Sequence, residues 1–210
     1  MSVTVQSIVA AALKEWDHWG NSTWNVSLGQ KEIGHTDDEY DFAQYVIDTY
    51  CSIGGGNPTH WAIQNDDYFW SAVGMSAFMS MGGFKKGQFP FSQSHSTFIR
   101  KFVSAGKEKD SASPFWGYRV GEMGFSPEVG DLVAYARGDG ITAKKAATYY
   151  DRTSSYSSHS DLVVAKRDGE IDVIGANVLD SVTMKTLSLD ENGHIVDPHH
   201  CWFAVVKHRF

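Results

Sequence analysis

Gly130-Asp-Leu-Val-Ala-Tyr-Ala-Arg137 and His159-Ser-Asp-Leu-Val-Val-Ala165 are short apolar runs rich in β-branched and aromatic residues. Turn-forming residues bound both, and that combination predicts strands. A period of two sets in after Pro127 and predicts strands over 131–137, 160–166, 171–174, 181–189 and 201–208, with turns at Gly169 and at Asn192-Gly193. The preceding half of the chain has the helical period instead. Ile8, Val9, Ala12, Leu13 and Trp16 recur at steps of three and four. A polar loop is expected from Asn21 to His35. Thr36-Asp37-Asp38-Glu39 then has the form of a capping box, opening a second helix that Gly54-Gly55-Gly56 ends. A third helix is predicted over about 68–81, capped by Asp66 or Asp67 and stopped by Gly82-Gly83, and a fourth over about 94–103. Helices first and an antiparallel meander second is the α+β pattern. No repeat or linker divides the 210 residues, so a single domain is expected.

The composition excludes several classes of function. Seven Trp, nine Tyr and twelve Phe supply a core and argue against disorder. Eighteen basic against 25 acidic residues give a net charge of −7, which speaks against a nucleic-acid footprint. No apolar run reaches the ~18 residues of a membrane span, so no membrane insertion is expected. The N-terminus lacks the basic start of a cleaved signal peptide. Cys51 and Cys201 are the two cysteines, too few for a disulfide framework or a thiolate zinc site, though one bridge between them is open.

Chemistry is expected from a few polar residues. Ser71, at the predicted start of the third helix, would gain from free backbone N–H groups and the positive end of the helix dipole. Serine is equally an ordinary helix-start residue. His159, beginning an apolar strand, is placed to act as a general base, and Asp161 projects from the same strand face. Asn177, at the end of the next strand, could orient an imidazole or simply serve a turn. Asp197-Pro-His-His200 with His194 lacks the spacing of a metal site, so neither metal nor cofactor is expected.

Taken in order, these residues resemble the papain-like amidases and peptidases of the NlpC/CHAP clan. Tyr50-Cys-Ser-Ile-Gly54, Trp70-Ser-Ala72, Phe89-Pro-Phe-Ser-Gln-Ser-His-Ser96, the Gly-Asp-Leu-Val and His-Ser-Asp-Leu-Val-Val blocks and Ile174-Gly-Ala-Asn-Val178 follow one another as in a bacterial family of unknown function within that clan. The resemblance covers about 41–206, leaving 1–40 as a helix-and-loop extension. It implies a papain-like fold, with N-terminal helices packed on a C-terminal antiparallel sheet. It also implies cleavage of amide bonds in peptidoglycan. Position by position, Ser71 falls on the clan's nucleophilic cysteine, His159 on its base and Asn177 on its polar orienter. Asn65 falls near the oxyanion-stabilising Gln, and His95 lies in a family block that borders the cleft.

A peptidoglycan amidase or endopeptidase without a signal peptide suggests an antibacterial effector. Such a toxin would be made in the cytoplasm and delivered to a target cell's periplasm by a type VI secretion machine, with an immunity protein and a spike or tube component as partners. Three alternatives are a catalytically silent papain-like binding module, a hydrolase of another acyl substrate, and a metal-dependent hydrolase using His194, His199 and His200.

Overall fold

Thr4 starts the chain's first helix with a reciprocal cap. Its hydroxyl accepts from the Ser7 N–H at 3.1 Å, and the Ser7 hydroxyl accepts from the Thr4 N–H at 3.1 Å. The computed structural model describes residues 2–122 and 124–210. Helix α1 (Val5–His18) buries Ile8, Ala11, Ala12 and Glu15. A hairpin of β1 (Ser22–Asn25) and β2 (Gln30–Glu32) follows. Next come α2 (Tyr40–Tyr45), a π-helical segment Val46–Cys51, α3 (Ser52–Gly54) and α4 (His60–Gln64). The two long helices of the middle region are α5 (Ser71–Met81) and α6 (His95–Glu108).

Strands β3 (Phe115–Arg119) and β4 (Leu132–Ala136) come next, followed by the short α7 (Ala143–Ala147). The chain closes with β5 (Ser158–Arg167), β6 (Glu170–Val178), β7 (Ser181–Leu189), β8 (Ile195–Val196) and β9 (Cys201–His208). The strands form one sheet in the order β2-β1-β7-β6-β5-β4-β9-β3, with β8 paired to β7.

The α+β expectation holds, with four corrections. The segment expected to be a polar loop from Asn21 to His35 contains the β1–β2 hairpin, and β1 pairs with β7 in parallel register. The sheet is therefore mixed, not purely antiparallel. The local alternation there, Trp24-Asn-Val26-Ser-Leu28, is short and β2 is wholly polar, so pairing to β7 is what makes the hairpin part of the sheet, a tertiary effect that outweighs weak local preference. Strand β3, missing from the expected set, exists through antiparallel pairing with β9. The Thr36 capping box is only half made. Glu39 accepts from the Thr36 N–H at 3.1 Å, but Glu39 itself is the N-cap of α2. Likewise α5 begins at Ser71 with Trp70 as N-cap, so neither Asp66 nor Asp67 caps it.

The two faces of the sheet have different coverings. Leu132, Ala134, Leu162, Ile174, Ala176 and Val206 pack under the helices. Val133, Val163, Ile171, Val173, Leu187 and Val205 form a second cluster on the other face, flanked by Trp24 and Trp202. Helix α5 is apolar on every side and buried from Ser71 through Met79, so it is the central helix. Gly74 permits its close approach to β6, since a Cβ there would lie 2.4 Å from the Ala176 Cβ. The segment before residue 41 is integral to this body and not an appendage: Ile8, Ala12 and Trp19 belong to the helix-side core.

Candidate active site

The N-terminus of α5 is held from below and from the side. The Trp70 ring stacks on Trp19 at 4.8 Å between centroids and faces Tyr50 at 5.7 Å. Its indole N–H donates to Asp37 Oδ2 at 2.5 Å. The first helical hydrogen bond of α5 runs from the Gly74 N–H to the Trp70 carbonyl at 2.9 Å. The N–H groups of residues 71–73 thus have no carbonyl of an earlier helical turn to bond, and no side chain caps them. Ser71 occupies this first position with 4% of its surface exposed.

The partner of Ser71 is His95. Ser71 Oγ lies 2.9 Å from His95 Nε2, and His95 Nδ1 lies 2.9 Å from Ser160 Oγ. Burial is the largest cause holding the His95 pKa well below 6.5. The His159 and Arg137 charges push the same way, and Asp161 opposes them. The imidazole is neutral at pH 7. The tautomer whose Nδ1–H donates to Ser160 leaves Nε2 to accept the Ser71 hydroxyl proton. This chain opens onto a cavity of about 340 Å³ lined by Phe69, Ser71, Gln93, His95, Arg137 and Tyr156, among others.

His159, expected as the base, is not the group bonded to Ser71. Its ring lies 4.8 Å from that of His95, and its Nε2 bonds Asp161 Oδ1 at 3.0 Å. Strand alternation explains the exchange. The β4–β5 register is unbroken from Ser158 to Leu162, so His159 and Asp161 have the parity of Val163 and Ser160 that of Leu162 on the helix side; at the end of the strand the His159 ring still touches that of His95 without reaching Ser71. Burial is the largest cause lowering the His159 pKa to about 4, against the pull of Asp161; Arg137 and Lys185 depress it further.

Asp161 also pairs with Lys185, Nζ to Oδ2 at 2.8 Å, both side chains having no exposed surface. Burial alone would raise Asp161, but Lys185 and His159 outweigh it and hold its pKa below the usual carboxylate range. Burial likewise works against the Lys185 charge, and Asp161 and Tyr135 more than compensate. Lys185 Nζ sits 4.8 Å from the Tyr135 ring centroid. Gly175 makes room for this cluster, because a Cβ there would come within 2.0 Å of Asp161 Oδ1.

Asn177 orients no imidazole. A register shift between Ala176 and Val178 makes it a bulge residue at φ +54°, a conformation Asn tolerates. Its Nδ2 donates to Asp37 Oδ2 at 3.3 Å, so it supports the carboxylate that anchors Trp70. Burial is the main cause raising Asp37 to about 7, and neighbouring Asp180, Asp38 and Asp66 add to it. Asn65 is exposed at the end of α4 and donates to the Trp61 carbonyl at 2.9 Å. The amide that shares the cavity with Ser71 is Gln93, whose Oε1 accepts from the Tyr68 hydroxyl at 3.3 Å.

Sequence reading missed Gln93, Ser160 and Arg137, and ranked His95 below His159. The Ser-His-Ser run at 94–96 was the one available signal. Among the described residues no group of three or more His, Cys, Asp or Glu side chains could hold a metal ion. His200 and His194 pair instead with Asp197 and Asp190, at 2.7 and 3.3 Å. Cys51 and Cys201 are both free.

Residues 38–208 match a family described as "Uncharacterized protein conserved in bacteria (DUF2272)". The chain belongs to that family. The DUF2272 match takes in Ser71, His95, Ser160 and the His159–Asp161–Lys185 cluster, and leaves α1 and the β1–β2 hairpin outside it. No curated protein and no solved structure matches the chain.

Proposed function

We propose that the chain is a serine-dependent hydrolase of the acyl-transfer type, with Ser71 as nucleophile and His95 as its general base. The observation that carries this reading is the 2.9 Å contact between Ser71 Oγ and the neutral His95 Nε2 beside an open cavity. A serine hydroxyl is far less acidic than a cysteine thiol and needs such a base within hydrogen-bond reach.

In the proposed reaction His95 Nε2 takes the Ser71 proton as Oγ attacks the substrate carbonyl carbon. The tetrahedral oxyanion is met by free N–H groups at the start of α5, with the Gln93 amide alongside. The scissile C–N bond then breaks, and the proton on Nε2 passes to the departing amine. Water, deprotonated by His95, attacks the Ser71 ester, and the acid product leaves with Ser71 restored. Ser160 holds the imidazole in the required tautomer throughout, the part played by an acidic residue in related constellations.

The substrate class we propose is the peptide amide of bacterial cell wall, on the strength of the chain's likeness to papain-like NlpC/CHAP amidases. An antibacterial effector delivered by a type VI machine and neutralised by an immunity protein is the accompanying physiological proposal. The test is muropeptide release from purified sacculi, followed by mass analysis. Wild type should release fragments that Ser71→Ala and His95→Gln do not. If wild type releases nothing, a binding role replaces the hydrolase reading; if Ser71→Ala releases the same fragments as wild type, Ser71 is not the nucleophile.

A further inference from the structure

Arg137 stands apart from the other arginines. Of the six in the chain, Arg119 and Arg167 pair with Asp151 and Asp172. Arg100 donates to the Ser96 and Thr153 carbonyls, while Arg152 and Arg209 lie over the Tyr149 and Trp116 rings. Arg137 is half-buried just past the end of β4. Among the described residues it forms no ion pair.

Its position is equally particular. Arg137 lines the Ser71–His95 cavity and also an adjoining one of about 420 Å³. That second cavity includes Asp139, an exposed carboxylate outside ion-pair distance of the guanidinium. Burial is the first reason that His95 and His159 stay neutral, and the Arg137 charge adds to it at both rings. A fixed cation facing open space beside a nucleophile, in a chain of net charge −7, is a recognition element for an anion of the substrate. The planar guanidinium fits a carboxylate in bidentate fashion.

We propose that Arg137 is a carboxylate-binding element of the Ser71 site, and that preferred substrates carry a free carboxylate close to the scissile carbonyl. The proposal rests on the hydrolase reading above and deepens it by naming a substrate class.

Two matched probes test it: γ-glutamyl 4-nitroanilide with its free α-carboxylate, and the same compound with an α-carboxamide. Wild type should favour the carboxylate probe by about tenfold or more in kcat/KM, mainly through KM. Arg137→Gln should abolish that preference, and Arg137→Lys should retain part of it. A wild type without preference, or an Arg137→Gln protein that keeps it, overturns the proposal and leaves the hydrolase reading standing. A second measurement separates the two ideas: calorimetric binding of glutarate to the Ser71→Ala protein, with and without Arg137→Gln. Glutarate binding that Arg137→Gln removes supports the carboxylate site even if neither probe is hydrolysed, in which case only the hydrolase reading falls. Equal binding, or none, in both proteins overturns the carboxylate site.

Discussion

Two polar clusters sit on the two faces of the same sheet, close together and built to opposite rules. On the helix side, Ser71, His95 and Ser160 are uncharged, joined by contacts of 2.9 Å, and open to a cavity. On the far face, His159, Asp161 and Lys185 include a full ion pair and have no exposed side-chain surface. The first arrangement suits proton transfer, because a neutral imidazole can take and return a proton while space beside it admits a substrate. The second suits structure. Its charges are removed from water, a cost offset only while every partner is present. Two adjacent histidines of one site thus differ less in chemistry than in what each is allowed to touch.

The largest expected effect separates the two histidines directly. Ser71→Ala and His95→Gln should each lower kcat for amide cleavage by about 10³-fold or more, and the double variant should fall little further, as members of one unit do. His159→Gln should keep kcat within about tenfold of wild type, since the residue is not bonded to the nucleophile. Muropeptide release rates decide the matter, and a loss in His159→Gln as deep as that in His95→Gln would erase the distinction between the clusters.

Next in size is the ion pair. Lys185→Met should cost about 3–5 kcal/mol in urea unfolding, because it strands a buried carboxylate, while adding Asp161→Asn should recover most of that loss. A single-variant cost below about 1 kcal/mol would mean the pair is not holding the far face together. Gly175→Ala should cost about 1–3 kcal/mol, since its Cβ would meet Asp161 Oδ1 at 2.0 Å. A neutral result would mean that the cluster has room to yield.

The smallest effects are in pH dependence. His159 titrates near 4 in the fold against an ordinary 6.5, and His95 is lowered in the same direction. Below 6.5 the unfolded chain therefore binds protons that the folded chain does not. The stability conferred by the two neutral rings is complete above 6.5 and declines as the pH falls towards 4. Asp37 acts the other way: with its pKa raised from 3.8 to about 7, its contribution is full below 3.8 and lost as the pH rises through 7. Asp37→Asn removes only that second trend, so its stability relative to wild type should climb between pH 4 and 7. A flat difference in denaturation midpoints would show that Asp37 is ionised throughout. The activity profile should place its acid limb below pH 6.5, where His95 becomes charged.

Much of this architecture is legible in the chain itself. Ile8, Ala12 and Trp16 mark α1 by their spacing, and the expected strands over 181–189 and 201–208 coincide with β7 and β9. The apolar stretch after Trp70 marks a buried helix beginning at a serine. These features follow from periodicity and end signals, which are local physics. The β1–β2 hairpin is hard to read from the chain, because the alternation Trp24-Asn-Val26-Ser-Leu28 is short, β2 is wholly polar, and β1 depends on β7 for pairing.

Which histidine meets Ser71 is likewise not a local property. Leu162 and Val163 are both apolar and both buried, one on each face, so the pattern around His159-Ser-Asp161 does not reveal which side packs against the helices. His95 lies 24 residues from Ser71 on another helix. The docking of α6 beside the start of α5 makes the pair, together with the β5 register that turns Ser160 toward the helices and His159 away. Sequence by itself determined the order of elements and put a serine at the head of the central helix. Only the tertiary structure decided which base that serine meets, because strand parity and helix docking are settled by the whole core and not by neighbours along the chain.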